Sequence, residues 1–455
     1  MHLTRFRHFF FFLCSSCLIF LLAACGSVGS KTSATPTTTG NTPTSNASVT
    51  SGTTQPGNGV TTAPVPPTLT SCPATGTARA AIMPPLALGN HQNIVYIVNE
   101  FQVHTPTFGT LKRYDISTTA KTEIIKIPNV WISDAQVSAD GQWLLFISVT
   151  LNQSKLQMIR MDGQGLQTLY CSNSTNSFYD LQWSVNQKLI AFSNGSDIFL
   201  LNVLNGSLQR MFHPGNLINQ DIEGYHIETW LDNTHLYLLT QPLDQPAGTL
   251  SILDITRGAD QNINNLQQVF QVNSSQSAFC WHNDSSYDGA SLFISQCTGG
   301  DPRGNVTNGP SSIVVEPALG GSQHTIYNAS TLAITNIRSI TNNTLFYMVG
   351  NTTGDTSHNG LWKINVNSTG NTFLASISGN GTTSGLYLNQ FTQFPWSNFS
   401  RDDSFYSLEQ INGYNESVTD TLYFGSLNGG KLNTFASISD GPDGTQLSIV
   451  GWTTM

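Results

Sequence analysis

Charge is what this sequence has least of. Charged side chains occupy 10% of its 455 positions, against about 25% in a typical soluble domain. With 18 Lys and Arg and a formal net charge of −9, it lacks the basic stripe that grips a phosphate backbone, so no nucleic-acid partner is expected. After Leu22 no apolar run is long enough to span a bilayer as a helix. There is no Gly-x-Ser-x-Gly nucleophile elbow and no Gly-rich phosphate loop. No two cysteines of the mature chain have the short spacing of zinc ligands. No metal, no cofactor and no catalytic constellation are therefore expected. What fills the chain instead is Gly, at 39 positions, with Asn, Ser and Thr. From about residue 90 onward helical periodicity is missing too, and the pattern is one of short strands.

The N-terminus carries an address. His2, Arg5, Arg7 and His8 precede an apolar run from Phe9 to Leu22, and Leu22-Ala23-Ala24-Cys25-Gly26 follows. A basic start and an apolar stretch shorter than about 20 residues fit a secretory signal better than a membrane span. The ending resembles a bacterial lipobox, which implies removal of residues 1–24 and a lipid on the Cys25 thiol. The protein is then extracytoplasmic, anchored to a bacterial membrane by lipid on Cys25 alone. Residues 25–71 hold one charge, Lys31, and no aromatic residue. They read as a disordered tether whose ends average on the order of 40 Å apart. The remaining residues, 72–455, form one domain.

Cys14 and Cys17 leave with the signal, and Cys25 takes the lipid. Cys72, Cys171, Cys280 and Cys297 remain, an even number in a compartment that permits disulfides. Three pairings are open.

A repeat organises the rest. Its clearest copy runs from Ile132 through Ser138-Ala139-Asp140-Gly141 and Trp143 to Ser148. It continues from Leu156 to Met161, turns at Asp162-Gly163, and ends on Leu166 to Tyr170. Further copies open at Tyr179, at Ile227, near Phe279-Cys280-Trp281, near Thr335-Asn336-Ile337 and near Phe394-Pro395-Trp396. The block from residue 90 to 127 has three strands and no opening strand. Leu447 to Trp452 supplies a first strand with nothing after it. Joining the two ends completes a seventh unit.

The Ser-x-Asp-Gly turn, the apolar strand behind it and the Asp-Gly turn that follows resemble the TolB-like, WD40-like family of bacterial β-propellers. The resemblance implies an all-β, seven-bladed β-propeller of four-stranded antiparallel blades, closed by pairing the C-terminal strand with the N-terminal blade. In each blade, strands A to D run from the central channel outward. A–B and C–D turns then share one face, here called the turn face. B–C and D–A loops share the opposite, loop face.

The turns are short, as at Asp140-Gly141, Asp232-Asn233, Asn205-Gly206, Gly320-Gly321 and Gly429-Gly430. The expected B–C loops are longer: Phe101 to Phe108, Gln241 to Gly248, Gly299 to Pro310, Gly350 to Gly360 and Ile411 to Thr419. His213 to Tyr225 is a long D–A loop. Asp284 to Gly289 looks faintly like a calcium loop, yet falls at an A–B turn and reads as one. That hairpin puts Cys280 on strand A and Cys297 on strand B, which favours the pair Cys280–Cys297 and leaves Cys72 for Cys171.

Along the inner strands Asp134 and Gln136, Asp180 and Gln182, and His226 and Glu228 alternate in period two as channel-lining candidates. Such groups can meet a polar ligand, or bond to one another and to backbone. Trp131, Trp143, Trp183, Trp230, Trp281, Trp362, Trp396 and Trp452 fall mostly on strands and are expected in the core. The expected role is a monomeric binding or assembly module that takes a protein or glycan ligand on its loop face. The alternative is an extracellular enzyme of polysaccharide or peptide breakdown with its site at the channel mouth.

Overall fold

The computed structural model describes residues 64–102, 105–172, 178–195, 197–215, 222–242, 248–271, 282–297, 309–351, 353–376, 384–387, 394–412, 418–440 and 444–455. Their strands form seven sheets of four, each antiparallel and, except in the first, in sequence order. In the first sheet the C-terminal strand Gln446–Thr454 lies inside Gln92–Gln102, followed by Thr105–Asp115 and Lys121–Pro128. Ile94 faces Trp452, and Val98 faces Leu447. The expected closure of the ring by its two ends is therefore present.

One strand of blade two shows why the sheets stack. Trp143–Val149 is buried along its whole length. Its alternate residues enter two different cores. Trp143, Leu145, Ile147 and Val149 pack with Phe178, Trp183 and Phe192 of blade three. Leu144 and Phe146 pack with Val95, Ile97 and Leu111 of blade one. A continuous apolar run is what a strand covered on both faces needs. Trp143, Trp183, Trp230 and Trp452 are fully buried, as expected of core tryptophans. Trp281 lies outside the described residues.

The A–B turns repeat one chemistry. The hydroxyls of Ser138, Ser184, Ser286 and Ser400 donate to Asp140, Asn186, Asp288 and Asp402 over 2.5–3.0 Å. Each serine oxygen in turn accepts the first N–H of strand B, from Trp143, Leu189, Ser291 and Phe405. The next residue has positive φ in all four: Gly141, Gln187, Gly289 and Asp403. Ser184-Val185-Asn186-Gln187, which departs from the Asp-Gly wording, thus builds the same turn. Asp284 to Gly289 is likewise an A–B hairpin.

Two expectations change. Blade seven does not open at Phe394-Pro395-Trp396. Its inner strand is Ser384–Tyr387, paired with Phe405–Asn412, and Pro395–Ser397 is a 3-10 turn. Pro395 has no N–H to give a ladder and fits the start of a turn instead. The expected loop Phe101 to Phe108 is mostly strand. Pairing continues to Gln102↔Thr105 past a register shift at Glu100/Phe101.

Residues 64–90 form a strap on blades two and three before the first strand begins. Residues 64–71, on the tether side of the boundary expected at residue 72, are part of it. Leu69 N donates to Leu166 O, and Thr168 N donates to Leu69 O, both at 2.8 Å. Arg79 ties the strap together by donating to Leu69 O, Ser71 O and Thr168 O. Cys72 is disulfide-bonded to Cys171, at the end of the outer strand Gln167–Ser172. The other expected pair, Cys280–Cys297, falls outside the described residues at Cys280, as does Cys25. Among the described residues no helix is long and apolar enough to cross a membrane.

Candidate functional site

Each inner strand runs from the loop face to the turn face, so position along it decides which end of the channel a residue serves. Asp134 lies on Trp131–Val137, Asp180 on Phe178–Trp183 and His226 on Ile222–Trp230. Their side chains share one use. Asp134 Oδ2 accepts from Leu181 N at 3.0 Å. Gln136 Oε1 accepts from Trp183 N at 2.9 Å, and its Nε2 donates to Leu181 O. One blade on, Asp180 Oδ2 accepts from Ile227 N at 3.1 Å. Gln182 Nε2 donates to Glu228 O at 3.2 Å. Side chains thus stand in for ladder bonds between inner strands of different sheets, and satisfy backbone groups facing the channel.

Asp180 is the most constrained of the six. It has φ +54 at a register break between Tyr179 and Gln182, a backbone state that persists only where surroundings enforce it. Its Oδ2 accepts from Ser193 Oγ and lies 3.1 Å from His226 Nδ1. Only 11% of the Asp180 side chain and 16% of the His226 side chain meet solvent. Burial pushes the Asp134 carboxyl up to about 8, against the Leu181 N–H and with the help of the Asp180 charge. Asp134 thus lies within electrostatic reach of Asp180, which in turn contacts His226. Both carboxylates also hold a backbone N–H of the next blade. Among the described residues no group of three or more His, Cys, Asp and Glu is arranged to hold a metal ion.

At the turn end of the inner strands the segment 394–401, which sequence reasoning missed, forms a plug that bonds to blades one, two and six. Trp396 stacks on Phe394 at 4.4 Å and donates from Nε1 to Val137 O at 3.0 Å. Arg401 lies over the Trp396 ring and donates to Trp452 O, Ala139 O and Ser138 O. Burial lowers the Arg401 guanidinium to about 10. Below it Arg338 donates to Asp284 Oδ1 at 2.7 Å, Asn398 Oδ1 at 3.1 Å and Ser397 Oγ at 3.0 Å. Gly451 lets the plug approach, since a Cβ there would stand 2.8 Å from Trp396 O. The available signals were Pro395 and the single charge of the strand Ile334–Thr341, which is Arg338.

On the loop face, 216–221, 243–247, 298–308 and 413–417 lie outside the described residues. The loop after Thr344–Val349 is described except for residue 352. Two buried amides shape it. Asn351 N donates to Asn359 Oδ1, and Asn359 Nδ2 donates to Asn351 O, both at 2.8 Å. Asn351 also accepts from Ala333 N and donates to Thr331 O and Asp355 O. Residues 353–358 are held outward on this frame.

Strand order makes the described chain a closed seven-bladed β-propeller. No family model and no curated protein sequence matches it. Solved structures similar to it include oligogalacturonate lyase from Vibrio parahaemolyticus, at 13% identity and a TM-score of 0.48, covering 74% of this chain and 86% of that one. TolB from Acinetobacter baumannii matches at 10% identity and a TM-score of 0.38, covering 79% and 82%. Oligopeptidase B from Leishmania major matches at 11% identity and a TM-score of 0.45, covering 78% of this chain and 50% of that one.

Proposed function

We propose that this protein is a lipid-anchored, extracytoplasmic β-propeller that binds a protein or glycan through its loop face. The observation that supports it is the loop 350–359. Its base is fixed by the reciprocal Asn351–Asn359 amide bonds, while 353–358 present Asp, Thr, Ser and His side chains to solvent. A polar loop held rigid from beneath loses little entropy on binding. At the opposite end of the inner strands the plug bonds across several blades, and Asp134 and Asp180 each join two blades. The Cys72–Cys171 disulfide fits an oxidising compartment.

The test is capture from intact cells with the mature chain carrying Cys25→Ser, compared with a variant whose loop 350–359 is cut to a tight turn. Ligand recovered by the first and lost by the second supports the reading. Equal recovery by both contradicts it.

One arrangement favours the enzymatic alternative: Asp134, Asp180 and His226 converge near the loop end of the channel. Turnover of uronate oligomers or peptides that disappears in Asp180→Asn and His226→Ala would establish it. Folding of those variants is checked by their near-UV spectra.

A further inference from the structure

The turn face carries more than the plug. Strap residues Ala80 to Leu88 include no charged side chain. They are held across this face by Ala81 N to Val203 O, by reciprocal bonds of Ile82 with the Gln167 amide, and by Leu86 N to Gln142 Oε1. Ala81, Met83 and Leu86 pack onto the cores below, which turns Ile82, Pro85 and Ala87 outward. Ile82 is 43% exposed, and Leu204, in the C–D turn of blade three, is 65% exposed. The two belong to one surface, because Gly206 presses on the strap. A Cβ there would lie 2.7 Å from Ala78 O and from Ala80 N. At the strap's start Val65 is 64% exposed. It is fixed between Pro64, whose carbonyl accepts from Arg160 Nη1, and Pro66, packed on Gly165. Large apolar side chains gathered outward on ordered backbone mark a contact surface.

The chain itself indicates what covers this surface. Residues 1–63 join the described structure at Pro64, beside Val65, so the chain from Cys25 reaches the propeller at this surface. We propose that Val65, Ile82 and Leu204 form the face that the propeller lays on the lipid surface. The proposal rests on the reading of Cys25 as the lipidated residue. Ala80 to Leu88 offer no cation to anionic headgroups, so the contact is apolar insertion into the interfacial layer. It need only be weak, since a tethered chain meets the surface at high effective concentration. The loop face is then presented away from the membrane, to ligands in solution or on other surfaces.

The experiment uses the acylated full chain in phosphatidylcholine vesicles, with an environment-sensitive fluorophore on Ile82→Cys or Leu204→Cys. Leu151→Cys is the control: Leu151 is 73% exposed and sits in the B–C turn of blade two, on the opposite face. Emission at 82 and 204 shifts to the blue and is quenched by a lipid-borne quencher, while emission at 151 stays unchanged. A shift at 151 instead, or none at 82 and 204, overturns the proposal. So does a shift at 82 and 204 that follows protein concentration in the Cys25→Ser chain without vesicles, which assigns the surface to a second copy. A lipidated chain with unshifted fluorophores fails this proposal alone. An N-terminal peptide whose mass shows no lipid on Cys25 fails the anchor reading and this proposal with it.

Discussion

Asp180 and His226 meet across the seam between blades three and four, with 3.1 Å between Oδ2 and Nδ1. The same oxygen takes the Ile227 N–H, so this carboxylate joins two blades while touching a titratable ring. At the preceding seam Asp134 has the equivalent role, on Leu181 N. Two adjacent seams of the ring are thus each bridged by an acid.

This gives a pH dependence of known sign. The Asp134 carboxyl is raised from 3.8 to about 8 by burial, so the folded state favours its protonated form. The stability this contributes is full below the unfolded value and is lost as pH rises through the folded value. Asp134→Asn keeps an acceptor for Leu181 N and cannot ionise. Its stability relative to the parent should rise between about pH 4 and pH 8 and then level off, by more than about 1 kcal/mol. Urea unfolding at several pH values reads this out; parallel curves would refute it.

Arg338 and Asp284 form a buried pair, with side chains 4% and 5% exposed. Arg338→Met leaves the Asp284 carboxylate without its cation and costs about 3–5 kcal/mol. Adding Asp284→Asn to that variant should recover much of the loss. A double variant as unstable as the single one would show that the plug, rather than the charge, was damaged.

The Cys72–Cys171 disulfide spans a sequence separation of 99 residues. Chain-entropy reasoning assigns about 4–5 kcal/mol to a loop of that size. Cys72→Ser with Cys171→Ser should lower the urea midpoint accordingly and open the strap near Leu69 to protease. An unchanged midpoint would mean that Arg79 and the Leu69 bonds hold the strap without help.

Deleting residues 446–455 removes the inner strand of blade one and leaves Gln92–Gln102 as an open edge. The account predicts loss of the cooperative unfolding transition. A truncated chain with the parent's transition would show that the ring holds without its closing strand.

The ring was legible because its signals are local. Ser-x-Asp turns, apolar second strands and a first strand stranded at the C-terminus all occur in single stretches of chain. The pair Cys72–Cys171 was reachable only by elimination, once the blade-five hairpin had claimed Cys280 and Cys297. The channel residues were legible as types and positions, since period two puts Asp134 and Gln136 on one side. Their partners were not, because Leu181 and Trp183 belong to another blade and offer only backbone. The plug was hidden for a similar reason. Trp396 read as another strand tryptophan, and nothing near it in sequence announces Val137 or Arg338. Asn351 and Asn359 read as ordinary loop residues until the fold set the Asn359 amide against the Asn351 backbone and the Asn351 amide against Ala333, Thr331 and Asp355.

The central claim is that ligands are met on the loop face. Hydrogen exchange of the Cys25→Ser chain, alone and with the ligand it captures, tests that claim most directly. The account predicts slower exchange at 353–358 and along the neighbouring B–C and D–A loops, with the strap 64–90 and the plug 394–401 unchanged. Protection confined to the strap and plug would contradict it.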